Sequence, residues 1–496
     1  MTARLSSATP VPSSVGRYAY DRDALASGIV HLGIGAFHKA HQAVYTDGAM
    51  DDRGGDWMIT GVSLRSGDVA DALNPQDGLY TLLVRGADGV SARVIGSIRR
   101  VLVAPRAPEA VLAALAAPET KIVSLTITEK GYGIDPATSG LDRGHASIAP
   151  DLADPRHPSG AVGFVVEGLR LRRERGLEPY TVLCCDNLPH NGKLLRRLVT
   201  EFAEAVDPGL AAFVRERVTF PSTMVDRITP ASTDATASEA QRLVGARDLA
   251  AVETEPFTQW VIEDDFVAGR PSWEGVGAVF ARDVAPYEKM KLRMLNGSHS
   301  TLAYSGYLAG HAHVRDVMGD AALVAIIGRH MKAAAATLDP VPGVDLDTYA
   351  NDLLARFANP AIAHQTYQIA MDGTQKLPQR LIEPALATLR AGRPLDAYCF
   401  SVASWMRYCL GMNESGQTYA LRDPREGEIA ALMAAAGGDA GSIVDRLLGL
   451  PGLFPVELAQ APEWRSGVQR RLETMLAKSM REAIEREAAS ISRTAA

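Results

Sequence analysis

Glu288, Lys291, Asn296 and His299 bring a carboxylate, an amine, an amide and an imidazole into one short stretch of chain. Pro286 suits a first helical turn, and the Lys, Leu, Arg and Met that follow favour the helical state, so the stretch predicts a helix from residue 286. At about 100° per residue with Lys291 as origin, Glu288 falls near 60°, His299 near 80° and Asn296 near 140°. All four therefore share one side, together with Leu292 and Leu295. A solvated helix face would be the plain explanation. Gly297 counts against it, because glycine costs roughly 1 kcal/mol in an exposed helix interior and usually marks a close approach. The chemistry such a face offers is proton transfer. A lysine is an acid/base near neutrality only if its pKa falls from about 10.4 towards 7 or 8. Burial and a neighbouring cation such as Arg293 push that way. A charged Glu288 close by would oppose it.

A second signal lies near the N-terminus. Residues 28–43 (GIVHLGIGAFHKAHQA) read as a β-branched strand, a turn and a helix, carrying the first two glycines of a dinucleotide fingerprint. Gly33 would form the tight turn, and Gly35 would let a pyrophosphate approach the backbone at a helix N-terminus. His38 stands where the third glycine is expected. His38 and His41 have no further ligands nearby, so no metal site is expected. Residues 57–64 form the second strand of a βαβ unit. Arg65 follows it, where an acid would favour NAD, and this leaves NADP open.

The elements that must position these groups follow in order. Residues 79–84 and 94–103 read as strands, with a hairpin around 86–89. Residues 121–128 form a buried strand ending at Glu129 and Lys130, candidates for a site wall because ligands sit beyond the carboxyl ends of such strands. Residues 135–158 read as a long polar loop. Residues 180–185 end at Asp186 and Asn187, and residues 217–228 end at Asp226 and Arg227. Residues 255–265 look like one more strand. Alternation to about residue 285 predicts an α/β, Rossmann-type doubly wound domain over 17–285 with an extended sheet. Residues 286–496 read as a mainly α-helical domain, within which 364–380 is a polar loop bearing Lys376 and Arg380. Residues 1–16 read as a loose tail, and 465–487 as one charged amphipathic helix.

The totals exclude several classes. A net charge of −7 argues against generic nucleic-acid binding. No stretch approaches the roughly 18–20 apolar residues of a membrane span. Cys184, Cys185, Cys399 and Cys409 lack metal-type spacing, which points to a reduced, cytoplasmic protein and away from zinc-dependent alcohol oxidation.

Taken together, residues 33–41 (GIGAFHKAH), Thr128-Glu129-Lys130-Gly131-Tyr132, Cys185-Asp186-Asn187, Met224-Val225-Asp226-Arg227-Ile228 and residues 291–299 resemble the mannitol dehydrogenase family of long-chain, metal-independent dehydrogenases. The resemblance runs from about residue 28 to 480. It implies a Rossmann-type domain followed by a helical one, with the substrate between them. It further implies Lys291 as the acid/base, Asn187 and Asn296 as oxyanion donors, and His299 as a positioning residue. Asp226 would bind substrate and Glu288 would relay the proton, while Gly33, Gly35, Phe37, Arg65 and Glu129 would serve the cofactor. NAD is the cofactor implied, with NADP open, and a monomer or small homo-oligomer is expected. The run 368–380 (QIAMDGTQKLPQR) is more similar to the fructuronate reductase (D-mannonate oxidoreductase) branch than to mannitol 2-dehydrogenases. A hexuronate carboxylate would pair with Lys130, Lys376 or Arg380, whereas a neutral hexitol needs no such cation. The expectation is reversible reduction of D-fructuronate to D-mannonate with NADH. The mannitol–fructose pair is the alternative, and a sugar-acid binding or regulatory protein is the non-enzymatic one.

Overall fold

The apolar runs assemble into a five-stranded sheet in the spatial order Ile98–Val103, Ile59–Ser63, Ile29–Leu32, Ile122–Leu125, Thr181–Cys184, with every pairing parallel. Numbered along the chain this order is 3-2-1-4-5, the dinucleotide-binding topology. Parallel strands covered on both faces need apolar residues on both, and four of these five are buried along their whole length. On one face, Val30, Val123 and Val182 meet Phe164 and Val165 of helix Ala161–Glu174 and Leu195 and Phe202 of helix Asn191–Val206. On the other, Ile29, Ile59 and Ile122 meet a cluster that includes Tyr45, Trp260 and Trp273.

The computed structural model describes residues 2–135 and 138–494. It divides into two compact units, Met1–Ala285 and Pro286–Ala496. In the first unit the sheet is not extended as expected. Tyr80–Gly86 and Gly89–Ile95 form the hairpin in a separate four-stranded sheet, and only Ile98–Val103 of the expected 94–103 strand joins the Rossmann sheet. Thr223–Asp226 and Gln259–Glu263 pair antiparallel in a third sheet. The expected loose tail is docked. Leu5 is fully buried, its N–H bonds Arg247 O, and Arg4 donates to the carbonyls of Asp71 and Ala72. The expected loop 135–158 contains helix Ala149–Ala153; its residues Pro136 and Ala137 lie outside the described residues.

The second unit is helical around Gly297–Leu308, a helix buried at every position but Tyr307. Two of its buried hydroxyls bond carbonyls one turn back, Thr301 to Gly297 O (3.0 Å) and Ser305 to Thr301 O (2.7 Å). The helix expected from Pro286 is not uniform. Ala285–Met290 is α-helical, Lys291–Asn296 is a π-helical segment, and α-helix resumes at Gly297. Positions calculated at a constant 100° therefore do not carry across it. The expected polar loop 364–380 is also helical. Thr366–Ala370 and Gly373–Leu377 are α-helical and Pro378–Ile382 is a second π segment. The turn at Gly373 forms because the Asp423 carboxylate takes Thr374 N (2.7 Å) and Thr374 Oγ1 (2.5 Å). The expected single helix 465–487 is two, Pro462–Ala477 and Met480–Thr494, broken at Lys478.

Candidate active site

Ile29–Leu32 and Ile122–Leu125 are adjacent central strands whose connections leave to opposite sides of the sheet, which is where such folds bind ligands. Gly33 turns there at φ 90°, and a β-carbon on it would stand 2.3 Å from Thr126 O, so only glycine fits. Gly35 differs. Its φ of −139° suits any residue, and a β-carbon would meet nothing closer than Gly33 O at 3.9 Å. Neither conformation nor internal packing demands this glycine, so its effect is an open backbone face at the start of Ala36–Ala40. That is the cradle a pyrophosphate needs, and the residues fit a dinucleotide. Phe37, half-buried, stacks on His41 with ring centroids 5.1 Å apart. Arg65 is exposed two residues beyond Ser63, where the second strand ends.

His38, in the third-glycine position, is fully buried and stacks on His31 at 3.5 Å. His31 bonds Ser124 Oγ and Thr126 Oγ1, both at 2.8 Å, and Ser124 donates to Gln42. Burial pulls the His31 imidazole down to about 3. These rings are neutral struts beneath the turn. Among the described residues no group of three or more His, Cys, Asp or Glu is arranged to hold a metal ion.

The next two strand ends are tied together by Asp186. Its carboxylate accepts from Ile127 N (2.8 Å), Thr128 N (3.3 Å) and the Tyr132 hydroxyl (2.7 Å). Burial nevertheless raises its pKa, against those three bonds. Thr128 is held at φ 64°, ψ 158°, a conformation non-glycine residues rarely adopt and one that persists only where neighbours enforce it. The strain presents Glu129 and Lys130, both exposed, in the short turn Glu129–Gly131. Asn187 follows Asp186 and is exposed, whereas Asp226 closes its strand in a buried position opposite Gln259.

In the second unit Lys291 opens the π segment, buried to 7 % exposure, and Asn296 closes it, half-buried. Glu288 lies in the α-helical turn before, half-buried. Wide π turns recur at functional sites because they re-aim side chains that a regular helix would misplace. Gly297 explains itself here: a β-carbon would stand 2.6 Å from His330 Nε2 and 2.9 Å from Arg380 O, so the close approach is to the second π segment. His299 is buried, tilted by 33° against Phe357 with ring centroids 4.6 Å apart and edge-on at 5.5 Å to His364. Burial holds its imidazole well below the usual range. His364, Arg380, Arg356 and Lys291 reinforce the effect, in that order. Its Nε2 has no hydrogen-bond partner among the described residues, the kind of orphaned buried atom that a ligand hydroxyl satisfies. Burial likewise lowers His364 to about 4, with Lys376 adding to it.

Within this unit, then, the structure gathers Lys291, His299 and Arg380. It adds Arg356 and His364, which sequence reasoning missed: Arg356 ends an ordinary amphipathic helix pattern, and His364 begins the run mistaken for a loop. Lys376 sits beside His364, but its ammonium also donates to Met371 O (2.6 Å) and Ile369 O (3.4 Å) and lies 3.9 Å from Asp372. Arg380 reaches Ser300 Oγ at 3.4 Å.

A Rossmann unit with this turn, followed by a helical unit carrying a buried lysine, defines a class of dehydrogenase fold. Residues 27–275 match the family model of the mannitol dehydrogenase Rossmann domain, and residues 283–476 that of the mannitol dehydrogenase C-terminal domain. The chain belongs to the mannitol dehydrogenase family. It is 46 % identical over 464 residues to the uncharacterised oxidoreductase YeiQ of Escherichia coli, covering 93 % of this chain and 94 % of that one. It is 44 % identical to the D-mannonate oxidoreductase of Escherichia coli, over 95 % of this chain and 97 % of that one. The solved ternary complex of Pseudomonas fluorescens mannitol 2-dehydrogenase with NAD and D-mannitol superposes with a TM-score of 0.87 at 38 % identity, covering 97 % and 99 % of the two chains.

Proposed function

We propose that this protein reversibly reduces D-fructuronate to D-mannonate with NADH. The observation that carries the choice of a sugar acid is the cationic setting of His299, where Lys291, Arg356 and Arg380 all bear on one buried neutral imidazole. A hexuronate brings a carboxylate that such a cationic setting attracts and that Arg binds bidentately, whereas a neutral hexitol makes no use of it. The 44 % identical D-mannonate oxidoreductase supports the same choice.

Gly33 and Gly35 with Phe37 would hold the dinucleotide, Glu129 and Arg65 flanking it. Bound nicotinamide supplies or accepts the hydride at the carbinol carbon. The chain's task is the oxygen and its proton. Lys291, buried at the start of its π segment, gives its proton to the carbonyl oxygen as the alcohol forms and takes it back in the reverse direction. Asn187 and Asn296 donate amide N–H bonds to the oxygen as charge develops, each worth about 2.7–4 kcal/mol by analogy with other oxyanion holes. His299 Nε2 orients a neighbouring hydroxyl, Asp226 holds the sugar, and Glu288 passes the proton of Lys291 onward. Lys130, Lys376 and Arg380 are the partners for the carboxylate.

One observation favours the mannitol–fructose pair instead. The Lys376 ammonium is already held by the carbonyls of Ile369 and Met371, as a structural clip would be. The deciding experiment is NADH oxidation with D-fructuronate and D-fructose side by side, repeated with NADPH. A preference for fructuronate of tenfold or less over fructose would abandon the sugar-acid reading. Absence of turnover on both, with NADH still binding, would favour a binding protein.

A further inference from the structure

The first helix beyond the dinucleotide turn ends abruptly, and the residue that ends it lies far along the chain. His41 departs from helical geometry at φ −123°, ψ −94°, and the N–H groups of Val44 and Tyr45 turn to His41 O. Ala40 O accepts from Arg227 Nη1 at 2.5 Å. The other side of the same guanidinium donates to Glu255 O, from Nη2 at 3.2 Å and Nε at 3.4 Å. The Glu255 carboxylate then takes Ile228 N at 2.7 Å, which closes a ring about Arg227. A second tie runs in parallel. His41 Nε2 donates to Gln259 O at 3.2 Å, and Gln259 is the register partner of Asp226.

Two bonds, one buried and one half-buried, thus join the end of Ala36–Ala40 to Arg227, next to Asp226, and to Gln259, opposite Asp226 on the paired strand. Arg227 is 9 % exposed, and burial lowers its pKa to about 10, so it is still a cation at neutral pH. Burying a charge is expensive, and a methionine would fill the space without that cost. What methionine lacks is a rigid fork that fixes two separate backbones at once.

We propose that Arg227 is a positioning residue that couples the dinucleotide turn to Asp226, so that a filled turn tightens sugar binding. The proposal rests on the dehydrogenase reading above. A pyrophosphate drawn onto Gly35 pulls on Ala36–Ala40; Ala40 O moves the fork, and the fork moves the backbone on either side of Asp226. Coupling of this kind is reciprocal, so NADH and the sugar strengthen each other by one shared factor.

The test uses NADH with D-mannonate, a pair that cannot react because both are reduced. Calorimetry gives the D-mannonate Kd with and without saturating NADH. The wild-type protein should bind D-mannonate at least about fivefold more tightly with NADH present. In Arg227→Met that ratio should fall below about twofold while the NADH Kd stays within about threefold; Arg227→Lys, with one donor centre, should lie between. If Arg227→Met does not fold, Arg227→Lys and His41→Leu, which cuts the second tie, carry the test. A full wild-type ratio in any folded Arg227 variant would overturn the proposal, as would a wild-type ratio of one. If the wild type takes D-mannitol and refuses D-mannonate, the sugar-acid reading fails separately and the same titrations run with D-mannitol decide the role of Arg227. A wild type that binds no NADH removes both.

Discussion

Gly297→Ala and Gly328→Ala make the same chemical change in two helices and should move stability in opposite directions. Helix propensity alone favours alanine at either site by roughly 1 kcal/mol. Gly328 lies within Ala321–Ala335, and a β-carbon there meets nothing within 4 Å, so the full gain should appear. At Gly297 the added carbon lands 2.6 Å from His330 Nε2 and 2.9 Å from Arg380 O. His330 is fully buried and bonds Arg293 O at 3.2 Å, and Arg380 O belongs to a π segment, so neither yields cheaply. Overpacking against such fixed neighbours costs about 3 kcal/mol, the upper part of its range, which leaves a net loss of about 2 kcal/mol. At about 2–4 °C per kcal/mol for a unit of this size, Gly297→Ala should lower the melting midpoint by about 4–8 °C. Gly328→Ala should raise it by about 2–4 °C. Because Asn296 and His299 flank Gly297, kcat/KM should also fall about 10- to 100-fold in the first variant and hold in the second. Differential scanning calorimetry and steady-state NADH oxidation read both. A Gly297→Ala midpoint at or above wild type would refute the close-approach argument.

Lys291→Ala should lower turnover by about 10²–10⁴-fold with NADH affinity retained, read by single-turnover kinetics and fluorescence titration; unchanged turnover removes it as the base. Arg380→Met and Lys130→Gly should hurt D-fructuronate more than D-fructose, and equal losses would return both to ordinary surface chemistry. Asp186→Asn should destabilise the first unit by about 1–3 kcal/mol, since the amide nitrogen then faces either Thr128 N or both Ile127 N and the Tyr132 hydroxyl; a midpoint within a degree of wild type contradicts this. Acid sensitivity follows from the buried histidines. His31 is lowered to about 3 and His330 and His364 to about 4, so above pH ~6.5 both folded and unfolded chains hold them neutral. Below that pH the unfolded chain gains protons the folded one refuses, and stability falls by up to about 1.4 kcal/mol per pH unit for each. Glu167, raised to about 7 by burial, and Asp47, Asp151 and Asp186, raised likewise, run the other way but are outnumbered once His38 and His299, both held low by burial, join the three histidines above. The midpoint should therefore drop from pH 7 to pH 5, and a flat profile would count against neutral buried imidazoles.

Much of this was legible in residue order because it depends on local chemistry. Continuous apolar runs gave the parallel strands, Gly33 gave the left-handed turn, and the residues closing each run gave Glu129, Asn187 and Asp226. The shift to Ala- and Leu-rich periodicity gave a helical second half. What failed depended on partners distant in sequence. Loop 364–380 looked polar because the Asp423 carboxylate that caps it lies some fifty residues on. The N-terminal tail looked loose because Arg247 and the carbonyls of Asp71 and Ala72, which hold it, are invisible from residues 1–16. Angles assumed for the Lys291 helix broke on a π segment, just beyond which Gly297 packs against Arg380. Residue order was enough to show that Gly33 must turn and to single out Lys291 as a candidate for proton transfer. Tertiary structure alone decided that His299 is a neutral ring set among Lys291, Arg356 and Arg380, because burial and the field of distant charges are properties of a packed neighbourhood and not of any stretch of chain.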